Sequence, residues 1–134
     1  MDNQQNIEST IKMIADYMEN GYLENIIDMF KLDQSYYPFI GSMIGDERMG
    51  VRIGTIALVE TLLELENNNL PSSIPGIASL LTDSNVTIRG DAAHLLGIIG
   101  HIDALPYLEK ALGDEHEMVR ENVREAIKEI KSSR

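Results

Sequence analysis

The chain has 134 residues, no cysteine and a formal net charge of −11. That length supports one domain with a real core, and the missing cysteine excludes a disulfide framework, a thiolate metal site and a cysteine nucleophile. The acidity opposes nucleic acid and anionic membrane surfaces, which carry charge of the same sign.

No apolar run approaches the ~20 residues that span a bilayer. The polar start "MDNQQNIEST" lacks the basic-then-apolar order of a signal peptide. The expectation is a cytoplasmic protein that uses neither nucleic acid nor membrane as a partner. Residues 1–67 hold twelve acidic against four basic side chains, and residues 68–134 hold ten against seven. Solubility is the plain use of such acidity, and a basic partner surface is the functional one.

Residues 1–35 read as two helices. Ile7, Ile11, Ile14 and Met18 fall on one face, Gly21 breaks the run, and Leu23, Ile26, Ile27 and Phe30 make a second, shorter face. A helix pair that caps a larger stack is the expectation. The alternative is a dimerisation element, giving a homodimer.

Three segments that follow align without gaps: "YPFIGSMIGDERMGVRIGTIAL", "IPGIASLLTDSNVTIRGDAAHL" and "LPYLEKALGDEHEMVRENVREA". Each has a proline (Pro38, Pro75, Pro106), an aspartate eight residues on (Asp46, Asp83, Asp114) and an arginine six beyond that (Arg52, Arg89, Arg120). The spacing is 37 residues from Arg52 to Arg89 and 31 from Arg89 to Arg120. The six extra residues are expected near "LENNNLPSS". Self-similarity at such a period marks stacked repeats.

Each unit predicts two helices. The first is short and starts near its proline, with apolar positions at Ile40, Met43 and Ile44, then Ile77, Leu80 and Leu81, then Leu108, Ala111 and Leu112. The aspartate is expected in the turn, capping the second helix. The second helix carries a stripe of period 3.6: Val51, Thr55, Leu58, Val59, Leu62; Ile88, Ala92, Leu95, Leu96, Ile99; Val119, Val123, Ala126, Ile127, Ile130. No pair can bury its stripe alone, but pairs stacked in series bury one another. The expected fold is therefore all-α: a short α-α superhelix of about three helix pairs with N-terminal capping helices. It makes a single domain of residues 1–134, divided at 1–35, 36–70, 71–101 and 102–134.

Gly90 and Gly97 in "TIRGDAAHLLGIIG" are expected where second helices approach closely, and Gly100 as a C-terminal stop. Asp46, Arg52, Asp83, Arg89, Asp114 and Arg120 are expected to form a structural ladder at the seams. There a guanidinium can bridge an aspartate or turn carbonyls of an adjacent unit. In the last helix, Glu117/Arg120, Glu121/Arg124 and Glu125/Lys128 predict surface pairs. Lys128, Lys131 and Arg134 fall where the helix dipole favours cations.

The stretch "IRGDAAHLLGIIGHIDALPYLEKALGDEHEMVRENVREAIKEI" resembles the HEAT-like repeat, in particular the short variety first associated with phycobiliprotein lyases. The resemblance is strong over residues 71–131, fair over 36–66 and absent over 1–35. It implies a superhelix that serves as a binding scaffold. It also raises two enzyme readings. Deoxyhypusine hydroxylase, built from similar repeats, binds a di-iron centre through His-Glu pairs directly after the repeat arginine. The matching positions here are Ile53-Gly54, Gly90-Asp91 and Glu121-Asn122, and His116-Glu117 lies before Arg120, out of phase. A lyase needs a tetrapyrrole-sized groove, and no aromatic cluster suggests one. His94, His101 and His116 share no metal-ligand spacing. The sequence thus predicts a non-catalytic protein with no cofactor and no metal.

In solenoids the ridge of second helices usually lines the concave side. Ile53, Ala57 and Glu60, Asp91 and His94, and Glu121, Asn122 and Glu125 are expected to point there. The expected partner is a protein, docking a basic or amphipathic segment on that acidic face.

Overall fold

A computed structural model describes residues 3–132. Arg134, assigned above to the last helix's dipole, lies outside them. The helices are α1 (Asn3–Glu19), α2 (Leu23–Leu32), α3 (Ile40–Ile44), α4 (Met49–Leu63), α5 (Ile74–Ala78), α6 (Val86–Ile99), α7 (Leu105–Lys110) and α8 (Glu117–Ser132), with no strand among the described residues.

The predicted stripes are the core. Val51, Leu58, Val59 and Leu62 of α4, Ala92, Leu95 and Leu96 of α6, and Val119, Val123 and Ile130 of α8 are all buried. Thr55 is buried too, and its hydroxyl donates to the Val51 carbonyl at 2.7 Å, so the stripe tolerates its polar atom. These long second helices form one layer in which α6 packs along α8 and, more sparsely, along α4. The first helices α3 and α5 pack side by side in the other layer. Helix α1 lies against α4, and α2 against both.

The first helices are shorter than their apolar runs because 3-10 turns flank them. Pro38 sits inside the turn Gln34–Phe39, ahead of α3, while Pro75 and Pro106 sit in the first α-turns of α5 and α7. A fixed φ and no N–H suit both places. The six extra residues of the first unit fall after α4, between Leu63 and the 3-10 turn Leu70–Ser73. Gly21 and Gly100 end α1 and α6 with φ of 88° and 73°. The Gly100 N–H bonds the Leu96 carbonyl, closing α6 in the left-handed cap its sequence predicts.

In the N-terminal pair Ile14, Met18, Ile26 and Phe30 are buried, whereas Ile7 is exposed because the first turns of α1 run past the core. The capping role expected of the aspartates is corrected. Asp46, Asp83 and Asp114 each accept the backbone N–H two residues on, from Arg48, Asn85 and His116. They build Asx-turns one step before the helix. The cap itself falls to the residue two positions on in the second and third units: the Asn85 side chain accepts from Thr87 and Ile88, and His116 Nδ1 accepts from Met118.

Small residues set the helix spacings. A Cβ on Gly41 would lie 2.6 Å from the Gly76 carbonyl carbon, so α3 and α5 touch backbone to backbone. A Cβ on Gly97 would lie 2.9 Å from Ala126 Cα, which brings α6 equally close to α8. At Gly90 it would meet the Asn122 amide, whose nitrogen donates to the Gly90 carbonyl at 3.3 Å.

Candidate functional site

Two features fall on the positions singled out in the sequence: the seam ladder and the second-helix face. In the ladder each arginine first closes its own turn. Arg52 Nη1 donates to the Asp46 and Glu47 carbonyls at 2.8 and 2.9 Å, and Arg89 Nη1 donates to the Asp83 and Ser84 carbonyls at 2.9 and 3.4 Å. These carbonyls lack helical partners, so the guanidinium satisfies groups that would otherwise be orphaned. Arg52 and Arg89 then reach forward. Arg89 Nε and Nη2 grip Asp114 of the next unit at 2.9 and 3.3 Å in a two-pronged pair.

Arg52 departs from this register. Its Nε bonds not Asp83 but Asp91, at 3.0 Å, one turn into α6. Asp91 therefore serves the seam and is not simply presented on the open face. Arg120 holds the Asp114 carbonyl at 2.7 Å and turns its other nitrogen to Glu117 of its own helix. The N-terminal seam is joined from the opposite direction. Arg48 bonds Asp46 at 3.0 Å and Asp16 of α1, also at 3.0 Å. Sequence reasoning missed Arg48, which stands outside the repeat frame.

Several seam carboxyls lie below the usual range. The Arg48 side chain lowers Asp46 against the opposing effect of burial, and Lys12, then Arg48, lower Asp16. Burial raises Asp114, but the His116 N–H and the Arg89 guanidinium outweigh it. A lowered folded pKa contributes stability that is present above the unfolded value and is lost as pH falls through the folded one. The thermal midpoint is thus expected to hold between about pH 7 and 5 and to drop below about pH 4, where these carboxylates protonate. A scanning-calorimetry series over that range checks it, and a flat midpoint down to about pH 2 contradicts it.

On the second-helix face Ile53 is 60 % exposed, Glu60 is exposed and Ala57 half-buried along the top of α4. His94, Gly97 and Ile98 of α6 face Asn122, Glu125, Ala126 and Glu129 of α8 across a groove of about 320 Å³. The geometry brings His94, Asn122 and Glu125 together, whereas Glu121 is exposed outside the groove's lining. Ile53, Ala57 and Glu60 remain on α4, linked to this group by the Arg52–Asp91 pair.

Of the ion pairs expected along α8, Glu117–Arg120 forms, while Glu121/Arg124 and Glu125/Lys128 do not. Glu117 takes both Arg120 and Arg124, the latter at 3.1 Å from seven residues away, a spacing that returns to the same helix face. Glu121, Glu125 and Glu129 are left without an ion pair among the described residues. No group of three metal-ligating side chains comes together among the described residues, and no helix is long and apolar enough to cross a membrane.

Stacked helix pairs, two layers of like helices and arginine-clamped turns define an α-solenoid. A family model of HEAT repeats matches residues 55–128, more than half of the chain, and the chain belongs to the HEAT-repeat family. Such repeats generally mediate protein–protein interaction. No curated protein matches the chain significantly.

Proposed function

We propose that this protein is a non-catalytic, cytoplasmic adaptor: one domain with a cap (1–35) and three units (36–70, 71–101, 102–134). It docks a basic, amphipathic segment of a partner protein on its acidic second-helix face. The observation that carries this reading is the charge division of α8. Glu125 and Glu129 line the groove toward α6 without counter-ions, while Arg120, Arg124 and Lys131 stand on another side of the helix. Like charges four apart on a helix oppose its stability, and a cationic partner relieves that repulsion. Ile53 and Ile98 offer apolar contact beside the acids.

The test is affinity capture at low and moderate salt, comparing the native chain with the Glu121→Lys/Glu125→Lys/Glu129→Lys variant. Asp91 is left intact because it holds Arg52. A basic protein retained at low salt by the native chain, and lost with the variant, is the expected result. Equal retention by both sinks the site.

A second reading, self-association through the N-terminal pair, rests on the exposure of Tyr17, Tyr22 and Leu32 on α1, α2 and the turn between them. Sedimentation of the same samples separates the two: a concentration-dependent dimer favours assembly, and a monomer favours the adaptor.

A further inference from the structure

The two seams of the first-helix layer differ, and the repeat register says why. One residue after the proline stand Phe39, Gly76 and Tyr107, and three after it stand Gly41, Ala78 and Glu109. At the first seam, Gly41 and Gly76 let α3 and α5 touch. At the second seam the same two positions hold Ala78 and Tyr107, and α5 makes no comparable contact with α7. The ring props the helices apart. Cavities of about 680 and 550 Å³ open there, and Tyr107 and Lys110 line both. Tyr107 itself stays 40 % exposed.

The cavities differ in chemistry. The smaller is walled by Ile74, Pro75, Ile102 and Pro106, with Asp103 and Lys110 also in its lining. Its prolines present no N–H, so it suits an apolar side chain. The larger has Ala78 and Leu81 on its walls and Asp83 and Glu115 among its lining. Arg89, also in the lining, is already taken up by Asp114 and the turn carbonyls. Glu115 reaches Arg89 only at 3.9 Å, so the lining sets Asp83 and Glu115 against Lys110, a net negative site. A helix, ~10 Å across, cannot descend on both sides of the Tyr107 ridge, whereas an extended chain can straddle it.

We propose that this cleft is a second docking site, on the layer opposite the second-helix face, for an extended segment of a partner protein. The segment places an apolar side chain among the prolines and isoleucines and a lysine or arginine beside Asp83 and Glu115.

The experiment is selection of a displayed random dodecapeptide library on the full chain, followed by titration of the enriched peptide against variants. Enrichment of peptides pairing an apolar residue with a nearby lysine or arginine is expected. Tyr107→Gly, which restores the glycine of the first seam, should abolish their binding. Glu115→Lys, at a side chain 89 % exposed whose contact with Arg89 is a long 3.9 Å and open to solvent, should weaken it about three- to tenfold. The Glu121/Glu125/Glu129 reversal should leave it unchanged, which separates this site from the second-helix face. Failure to enrich any peptide, enrichment of acidic peptides, or affinity unmoved by Glu115→Lys overturns the proposal. So does unmoved affinity in a folded Tyr107→Gly chain.

Discussion

Arg89→Ala is expected to lower folding stability by about 3–5 kcal/mol, read as a fall in the urea midpoint with an unchanged slope. Arg89 is only 8 % exposed and donates to two turn carbonyls of its own unit and to both oxygens of Asp114. Removing it strands a nearly buried carboxylate and leaves two turn carbonyls without their donor. The cost is that of the groups left behind rather than of the pair's own attraction. Arg89→Ala/Asp114→Ala should therefore be less damaging than the sum of the two single changes. Arg120→Ala supplies the contrast. Its side chain is 31 % exposed and its carboxylate partner, Glu117, lies open to solvent, so a loss near 1 kcal/mol or less is expected. Equal losses at Arg89 and Arg120 would show that the forward grip on the next unit contributes nothing.

Gly41→Ala is expected to destabilise by about 1–3 kcal/mol, although alanine is the better helix former by up to ~1 kcal/mol. The new methyl meets the Gly76 carbonyl carbon at 2.6 Å and its oxygen at 2.7 Å. Both belong to backbone, so α3 and α5 must part. At Gly54 the methyl instead meets Sδ and Cγ of the buried Met18, an unbranched side chain rather than backbone, and Gly54→Ala should cost less than Gly41→Ala. Chemical denaturation of both variants decides the matter. A neutral Gly41→Ala would mean that the two first helices are free to separate.

The fold was readable because its signals are periodic. A stripe of period 3.6 repeated three times leaves few other ways to bury Val51, Ile88 and Val119 together. The ladder was readable in kind but not in register. The constant Asp-Arg spacing reports the grip on the turn, which lies within a unit. The choice of Asp91 over Asp83 as the carboxylate for Arg52 depends on how two units are rotated, and no spacing within a unit encodes that. Arg48 escaped notice for a related reason: its partner Asp16 lies in α1, which has no copy of the frame. The pairing of Arg124 with Glu117 spans two helical turns, and the nearer Glu121 at spacing three masks it in the sequence. The propped seam was visible only in retrospect, as Tyr107 standing where the preceding unit has Gly76.

The uneven seams also decide how the stack bends. A solenoid curls into an arc when every unit adds the same tilt in the same sense. Between the first two units the close side is the first-helix layer, through Gly41 and Gly76; between the last two it is the second-helix layer, through Gly97 and Ala126. In the second-helix layer α6 packs far more closely on α8 than on α4. Curvature of the second-helix surface is therefore concentrated where α6 meets α8, and the surface flattens toward α4. A straight ligand can follow that surface across α4 but must bend, or end, where it enters the trough between His94 and Glu125.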